Sequence, residues 1–211
     1  MSSIFDQLKS FRIIPVIVID DPSKAAPLGQ SLIDGGLPCG EITFRTASAA
    51  ESIREMTKAH PNLLLGAGTV LTTAQADSAI EAGAKFIIAP GLNPEVVRHC
   101  QQRNIPILPG IMTPSDIERA LSLDLDTVKF FPAEAAGGVN MLKSLSGPYR
   151  NIKFVPTGGI SPSNLGAYLS VKNVLACGGS WMVKDDLINS GNFEEIKSLT
   201  SEAVKLVKNI G

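Results

Sequence analysis

Short apolar runs recur along the chain, and each is followed by a stretch of mixed polar and apolar residues at helical spacing. The runs occupy 13–19, 39–44, 63–68, 85–90, 105–110, 127–132, 152–159 and 173–180. Each has the length of a strand, is rich in Val, Ile and Leu, and is bounded by Gly or Pro. Near-continuous apolar strands are expected where a parallel sheet is covered on both faces. The intervening segments 22–34, 47–59, 73–82, 94–103, 115–121, 140–145, 163–169 and 193–208 read as helices. Thr113-Pro-Ser-Asp, Ser161-Pro-Ser-Asn and Asn93-Pro-Glu are start signals, and Gly35-Gly36 and Gly83 are stops. Eight strand–helix units predict an α/β protein, a (β/α)8 TIM barrel forming a single domain over 1–211, with a helical extension at about 1–12. An open doubly wound sheet is the alternative. It would carry a GxGxxG turn, and Gly66-Ala67-Gly68 lacks the third glycine.

Composition narrows the class. Nineteen basic against twenty acidic residues leave a net charge of -1, so no basic surplus points to nucleic acid or an anionic membrane. The run 13–19 is too short to span a bilayer, and no secretory pattern precedes it. Cys39, Cys100 and Cys177 are odd in number and far apart, which reads as reduced thiols in a cytoplasmic protein. With only His60 and His99 present, a His-based metal site or a Ser-His-Asp triad has little material.

In a barrel, chemistry collects at the C-terminal ends of the strands. Lys129 stands inside the sixth run, on one face with Thr127 and Phe131. A desolvated lysine favours its neutral amine, the form a nucleophile needs. A structural ion pair is the alternative. Glu41, Thr43 and Arg45 share a face of the second run with Cys39. A carboxylate inside the strand and an arginine at its exit suit a proton shuttle beside an anion clamp. A Glu41–Arg45 or Glu41–Lys129 structural pair is equally open on the segment alone. Gly158-Gly159 and Gly178-Gly179-Ser180 close the last two runs, where barrel enzymes often hold a phosphate on backbone amides. Tight turns alone also select glycine. Thr69 reads as a helix cap or an anion contact, His99 as a surface residue, Cys177 as a small buried hydrophobe, and Trp181 as packing.

Taken together, these blocks resemble the 2-keto-3-deoxy-6-phosphogluconate (KDPG/KHG) aldolase family of class I Schiff-base enzymes. The blocks are Ile-Pro-Val-Ile at 14–17, Glu-Ile-Thr-Phe-Arg-Thr at 41–46, Gly-Ala-Gly-Thr-Val at 66–70 and Pro-Gly at 90–91. Pro-Gly-Ile-Met-Thr-Pro-Ser at 109–115, Lys-Phe-Phe-Pro-Ala-Glu at 129–134, Pro-Thr-Gly-Gly-Ile at 156–160 and Gly-Gly-Ser-Trp at 178–181 complete them. The resemblance implies Lys129 as the Schiff-base lysine and Glu41 as the general acid/base. It implies Arg45 and Thr69 on the pyruvate carboxylate, Pro90 and Phe131 as pocket walls, and Thr157 on the substrate hydroxyls. Gly158, Gly159, Gly179 and Ser180 fall on the family's phosphate site. The implied reaction cleaves 2-dehydro-3-deoxy-6-phosphogluconate to pyruvate and glyceraldehyde 3-phosphate, with no cofactor and no metal, in a cytoplasmic homotrimer. 4-Hydroxy-2-oxoglutarate and the galactonate epimer are alternative substrates, and a phosphate-binding barrel without imine chemistry is the alternative of another class. The chain departs from the family at Asp20-Asp21, where some members carry basic residues and an acid would repel a phosphate. It also has Phe44 where many members carry Leu.

Overall fold

The computed structural model describes residues 3–210. The ends of the predicted N-terminal extension, residues 1 and 2, therefore lie outside the described residues, and the rest of it is the helix α1, Ile4–Phe11. There follow β1 Ile13–Ile17, a 3-10 turn at Pro22–Lys24, α2 Ala25–Asp34, β2 Cys39–Thr43, α3 Ala49–Ala59, β3 Leu64–Gly68 and α4 Thr73–Glu81. The middle of the chain holds β4 Ile87–Ile88, α5 Pro94–Gln102, β5 Ile107–Leu108, β6 Gly110–Ile111, α6 Pro114–Leu121, β7 Thr127–Phe130 and α7 Gly138–Ser146. The last part comprises β8 Lys153–Pro156, α8 Leu165–Leu169, β9 Cys177–Gly179, α9 Asp185–Ser190 and α10 Phe193–Asn209.

All strand pairs are parallel, and they form two sheets. One has the order β5-β4-β3-β2-β1-β9, the other β6-β7-β8. Both seams between the sheets carry backbone contacts. Pro109 separates β5 from β6, and its carbonyl accepts the Lys129 N–H at 2.9 Å. At the other seam, Phe154–Val174 and Thr157–Gly178 form parallel bridges.

The predicted run 105–110 is thus two short strands rather than one. Proline has no N–H to give a ladder, so the pairing partner changes from β4 to β7 at Pro109. The 22–34 segment begins as a 3-10 turn because Asp21 caps it through the Ser23 N–H. The predicted start at Ser161 moves to Leu165, since Asn164 folds its side chain back onto the Ser161 N–H and closes a turn there. Asn93 and Thr113 do cap α5 and α6, each with proline next in line. The short helix α9 was not anticipated.

The strands β1, β2 and β3 are buried along their whole length. Their outward aliphatic side chains pack against the helices in a core that includes Ile17, Leu28, Leu32, Ile42, Ile53 and Phe86. Buried polar residues interrupt this core: Glu41, Thr43, Thr127, Lys129 and Thr157. No helix among the described residues is long and apolar enough to cross a membrane.

Candidate active site

Alternation along β2 turns Cys39, Glu41 and Thr43 to the face opposite Gly40 and Ile42. Thr43 donates its hydroxyl to the Ile17 carbonyl and is thereby satisfied within the sheet. Glu41 has no such backbone partner among the described residues. Its carboxylate instead meets the Lys129 ammonium from β7, with Nζ and Oε1 3.5 Å apart and side chains 4% and 2% exposed. That is ion-pair range, but long for a good N–H···O bond. Both charges have left water, a cost of several kcal/mol per ion that such a contact offsets only in part. The pair is therefore weak evidence for stability and stronger evidence for use. The Phe131 ring adds a cation–π contact, its centroid 5.1 Å from Nζ.

Gly68 makes the room that Glu41 occupies. A Cβ at residue 68 would stand 2.7 Å from Oε1 and 3.0 Å from the carboxyl carbon. The next residue, Thr69, adopts φ 57°, which is rare for a β-branched side chain. Such a conformation costs on the order of 1–3 kcal/mol and persists where its surroundings over-determine it. Here Thr69 Oγ1 accepts from Arg45 Nε at 3.3 Å, so the strained residue fixes the guanidinium.

A cavity of about 240 Å³ opens beside this group. Of the predicted residues, Arg45, Phe131, Thr157, Gly158, Gly159, Gly179 and Ser180 line it. Glu41, Lys129, Thr69 and Pro90 are not among its lining. The first two adjoin it through Phe131 and through Val16, a lining residue in register with Glu41. Pro90 stands one strand further round, its carbonyl pressed onto Gly110. Gly158 and Gly159 adopt φ 100° and 80°, which suit glycine and let the loop turn over the cavity. The Trp181 ring lies across Gly179.

Asp185, at the start of α9, also lines the cavity and escaped the sequence reading. Its proximity to the last predicted run, five residues beyond Ser180, was the available signal. Arg45 is the cation of the lining and Asp185 its anion. The acidic pair after β1 stands elsewhere. Asp21 caps the 3-10 turn, and hydrogen bonds from Ser23 hold its carboxyl below the ordinary carboxylate range. Asp20 is not in the lining, and its carbonyl accepts from Ser48.

The cysteines are free and buried. Burial pushes the Cys39 thiol far up and the Cys177 thiol to about 12, so neither offers a thiolate at neutral pH. His60 bonds the Ala26 carbonyl and His99 pairs with Asp77, both away from the cavity. Lys129 and Glu41 are thus the buried, oppositely charged pair beside the cavity.

Known proteins share this arrangement of chain. Residues 4–199 match the family model for KDPG and KHG aldolase. The 2-dehydro-3-deoxy-phosphogluconate aldolase of Treponema pallidum is 47% identical, over 98% of this chain and 99% of that one. The KDPG aldolase of Legionella pneumophila, solved with pyruvate captured as a covalent carbinolamine intermediate, superposes with a TM-score of 0.92. It is 38% identical, with 96% of this chain and 98% of that chain covered. The 2-keto-3-deoxy-6-phosphogluconate aldolase of Zymomonas mobilis, solved with 3-phosphoglycerate, gives a TM-score of 0.87 at 38% identity, with 94% of each chain covered. With a family match over most of its length and relatives this close, the chain belongs to the KDPG/KHG aldolase family.

Proposed function

We propose that this protein cleaves 2-dehydro-3-deoxy-6-phosphogluconate to pyruvate and glyceraldehyde 3-phosphate through a Schiff base on Lys129. The observation that carries this reading is the buried Lys129–Glu41 pair, 3.5 Å apart and joined through Phe131 to a cavity lined by Arg45 and two glycine loops. Arg45, steadied by Thr69, receives the substrate carboxylate and so sets the C2 ketone before the amine. Lys129 passes its proton to Glu41, and the neutral amine adds to C2 to form a carbinolamine. Glu41 returns that proton to the carbinolamine hydroxyl, water leaves, and an iminium forms beside a Glu41 carboxylate that is again ionised. Glu41 removes the proton of the C4 hydroxyl, the C3–C4 bond breaks, and its electron pair enters the iminium to form an enamine. Glyceraldehyde 3-phosphate leaves. Protonation of the enamine at its terminal carbon and hydrolysis release pyruvate and restore the amine. The iminium is itself the electron sink, so the route needs neither metal nor cofactor. Thr157 meets the hydroxyls of the sugar chain. Gly158, Gly159, Gly179 and Ser180 receive the phosphate, and Phe131 forms a wall of the pocket.

The same reading makes the two sheets one closed (β/α)8 barrel and one domain. The Lys129–Pro109 hydrogen bond and the Thr157–Gly178 bridge support closure at the two seams. It also makes the protein a cytoplasmic homotrimer.

Borohydride trapping tests the assignment. The protein is incubated with pyruvate, reduced and digested, and the modified peptide is located by mass spectrometry. A stable adduct is expected on Lys129 and is lost in Lys129→Met, with turnover falling far more than about tenfold. An adduct on another lysine keeps the reaction class and overturns the site. No adduct on the folded protein replaces this reading with a phosphate-binding barrel without imine chemistry. Comparing kcat/KM for the phosphogluconate, phosphogalactonate and 4-hydroxy-2-oxoglutarate substrates then ranks the aldehyde partners.

A further inference from the structure

The loop that carries Gly158 and Gly159 is held by an element outside the cavity. Its backbone is tied to the segment that leaves β7: the Ala133 N–H donates to the Thr157 carbonyl at 2.8 Å and the Glu134 N–H to the Gly158 carbonyl at 3.1 Å. From the other side, Asn164 Nδ2 donates to the Gly159 carbonyl at 2.9 Å. The Glu134 side chain then crosses the loop. A Cβ on Gly159 would stand 2.6 Å from Glu134 Cγ and 2.7 Å from its Cβ. Beyond the loop, the Glu134 carboxylate accepts a hydrogen bond from the Tyr168 hydroxyl of α8. Tyr168 is fully buried, so it is a fixed anchor. Burial pushes its hydroxyl well up, and the Glu134 hydrogen bond and charge add to that, so it stays a donor across the physiological range. Gly138, at the start of α7, leaves the space that the two oxygens occupy.

We propose that Glu134 and Tyr168 form a positioning latch that holds loop 157–160 in the shape that receives the phosphate end of the substrate. Neither residue lines the cavity, and neither is given a chemical step. They act through the loop they pin. The inference rests on the aldolase reading above, and it separates two halves of the reaction. Pyruvate carries no phosphate, so enamine formation from pyruvate is independent of the latch, whereas recognition of the phosphorylated substrate depends on it.

The test compares Tyr168→Phe, Glu134→Ala and Glu134→Gln with the unaltered protein. Phenylalanine keeps the buried ring and removes the donor. Glutamine keeps an oxygen that can accept from the tyrosine. Two quantities are read: KM and kcat for 2-dehydro-3-deoxy-6-phosphogluconate, and deuterium exchange at the pyruvate methyl group. Tyr168→Phe and Glu134→Ala are expected to raise KM about tenfold, the scale of one hydrogen bond to a charged group, while exchange stays within about twofold. Glu134→Gln is expected to stay near the unaltered values. An unmoved KM in both Tyr168→Phe and Glu134→Ala overturns the latch. So does a fall in exchange that parallels the change in KM, because that reports general loosening. Exchange in the unaltered protein is measured first. Its absence refutes the aldolase reading and the latch with it, whereas normal exchange with an unmoved KM refutes the latch alone.

Discussion

Gly68 acts through the side chain it lacks. A methyl group there would meet the Glu41 carboxylate at 2.7 Å and Thr43 Cγ2 at 3.2 Å, and no backbone atom is among its three nearest contacts. Gly68→Ala therefore displaces the carboxylate rather than the strand. If Glu41 carries the proton, pyruvate methyl exchange falls by at least about tenfold, a partial loss of the roughly 100- to 10,000-fold that a general acid/base supplies. Circular dichroism should remain that of the unaltered protein. Exchange at the original rate would mean that the carboxylate can move without consequence, and Glu41 would lose its proposed role. At this scale the alternation of side chains was legible: it put Lys129 with Phe131 and Glu41 with Thr43. The Gly68 contact was not, because it depends on the register Thr43–Gly68 between two strands. Nor was the left-handed backbone of Thr69, since nothing in a Gly-Thr-Val string signals φ 57°.

The elements were legible where their ends carry a chemical signature. Thr113-Pro-Ser-Asp folds as a capping box: Thr113 accepts from the Asp116 N–H, and Asp116 accepts from the N–H groups of Met112 and Thr113 and from the Thr113 hydroxyl. Pro109 was visible as a boundary, but its effect on pairing was not, because a change of partner strand is decided by the sheet. Asp185–Ser190 offered six residues with no cap that bonds its side chain, too little pattern for prediction. The capping box has a pH signature. Burial raises the Asp116 pKa, but the hydrogen bonds from Met112 and Thr113 outweigh it, and the carboxyl sits below its ordinary value. A pKa depressed in the folded state gives stability that is full above the unfolded value of about 4 and is lost as pH falls through the folded one. Asp116→Ala should lower the urea midpoint near about pH 6, and the gap to the unaltered protein should narrow as the pH falls below about 4. A gap independent of pH would mean that the carboxylate charge contributes nothing to the cap. Thr113→Ala, which removes the N-cap oxygen, should cost about 1 kcal/mol.

For the whole molecule, the strand–helix rhythm made the parallel α/β plan readable, while the seams between the two sheets rest on a few backbone contacts that no local pattern encodes. Assembly is the remaining level. Leu71 and Met112 are 53% and 44% exposed, and they lie three residues beyond β3 and one beyond β6, at the strand ends from which Arg45 and Phe131 also emerge. Large apolar side chains in two site-side loops, on a chain of net charge -1, are what a subunit contact would cover. A closed three-fold ring formed there would hold the loop after Thr69, and with it the Arg45 contact, in one geometry. Light scattering on the eluting protein should give three times the 22.3 kDa chain, about 67 kDa. A monomer mass refutes the trimer. Leu71→Asp places a charge in the proposed contact and should lower the mass, with the proportion of smaller species rising on dilution. A trimer that keeps its mass with this substitution has its contact on another face, and the Thr69 backbone is then held by its own chain alone.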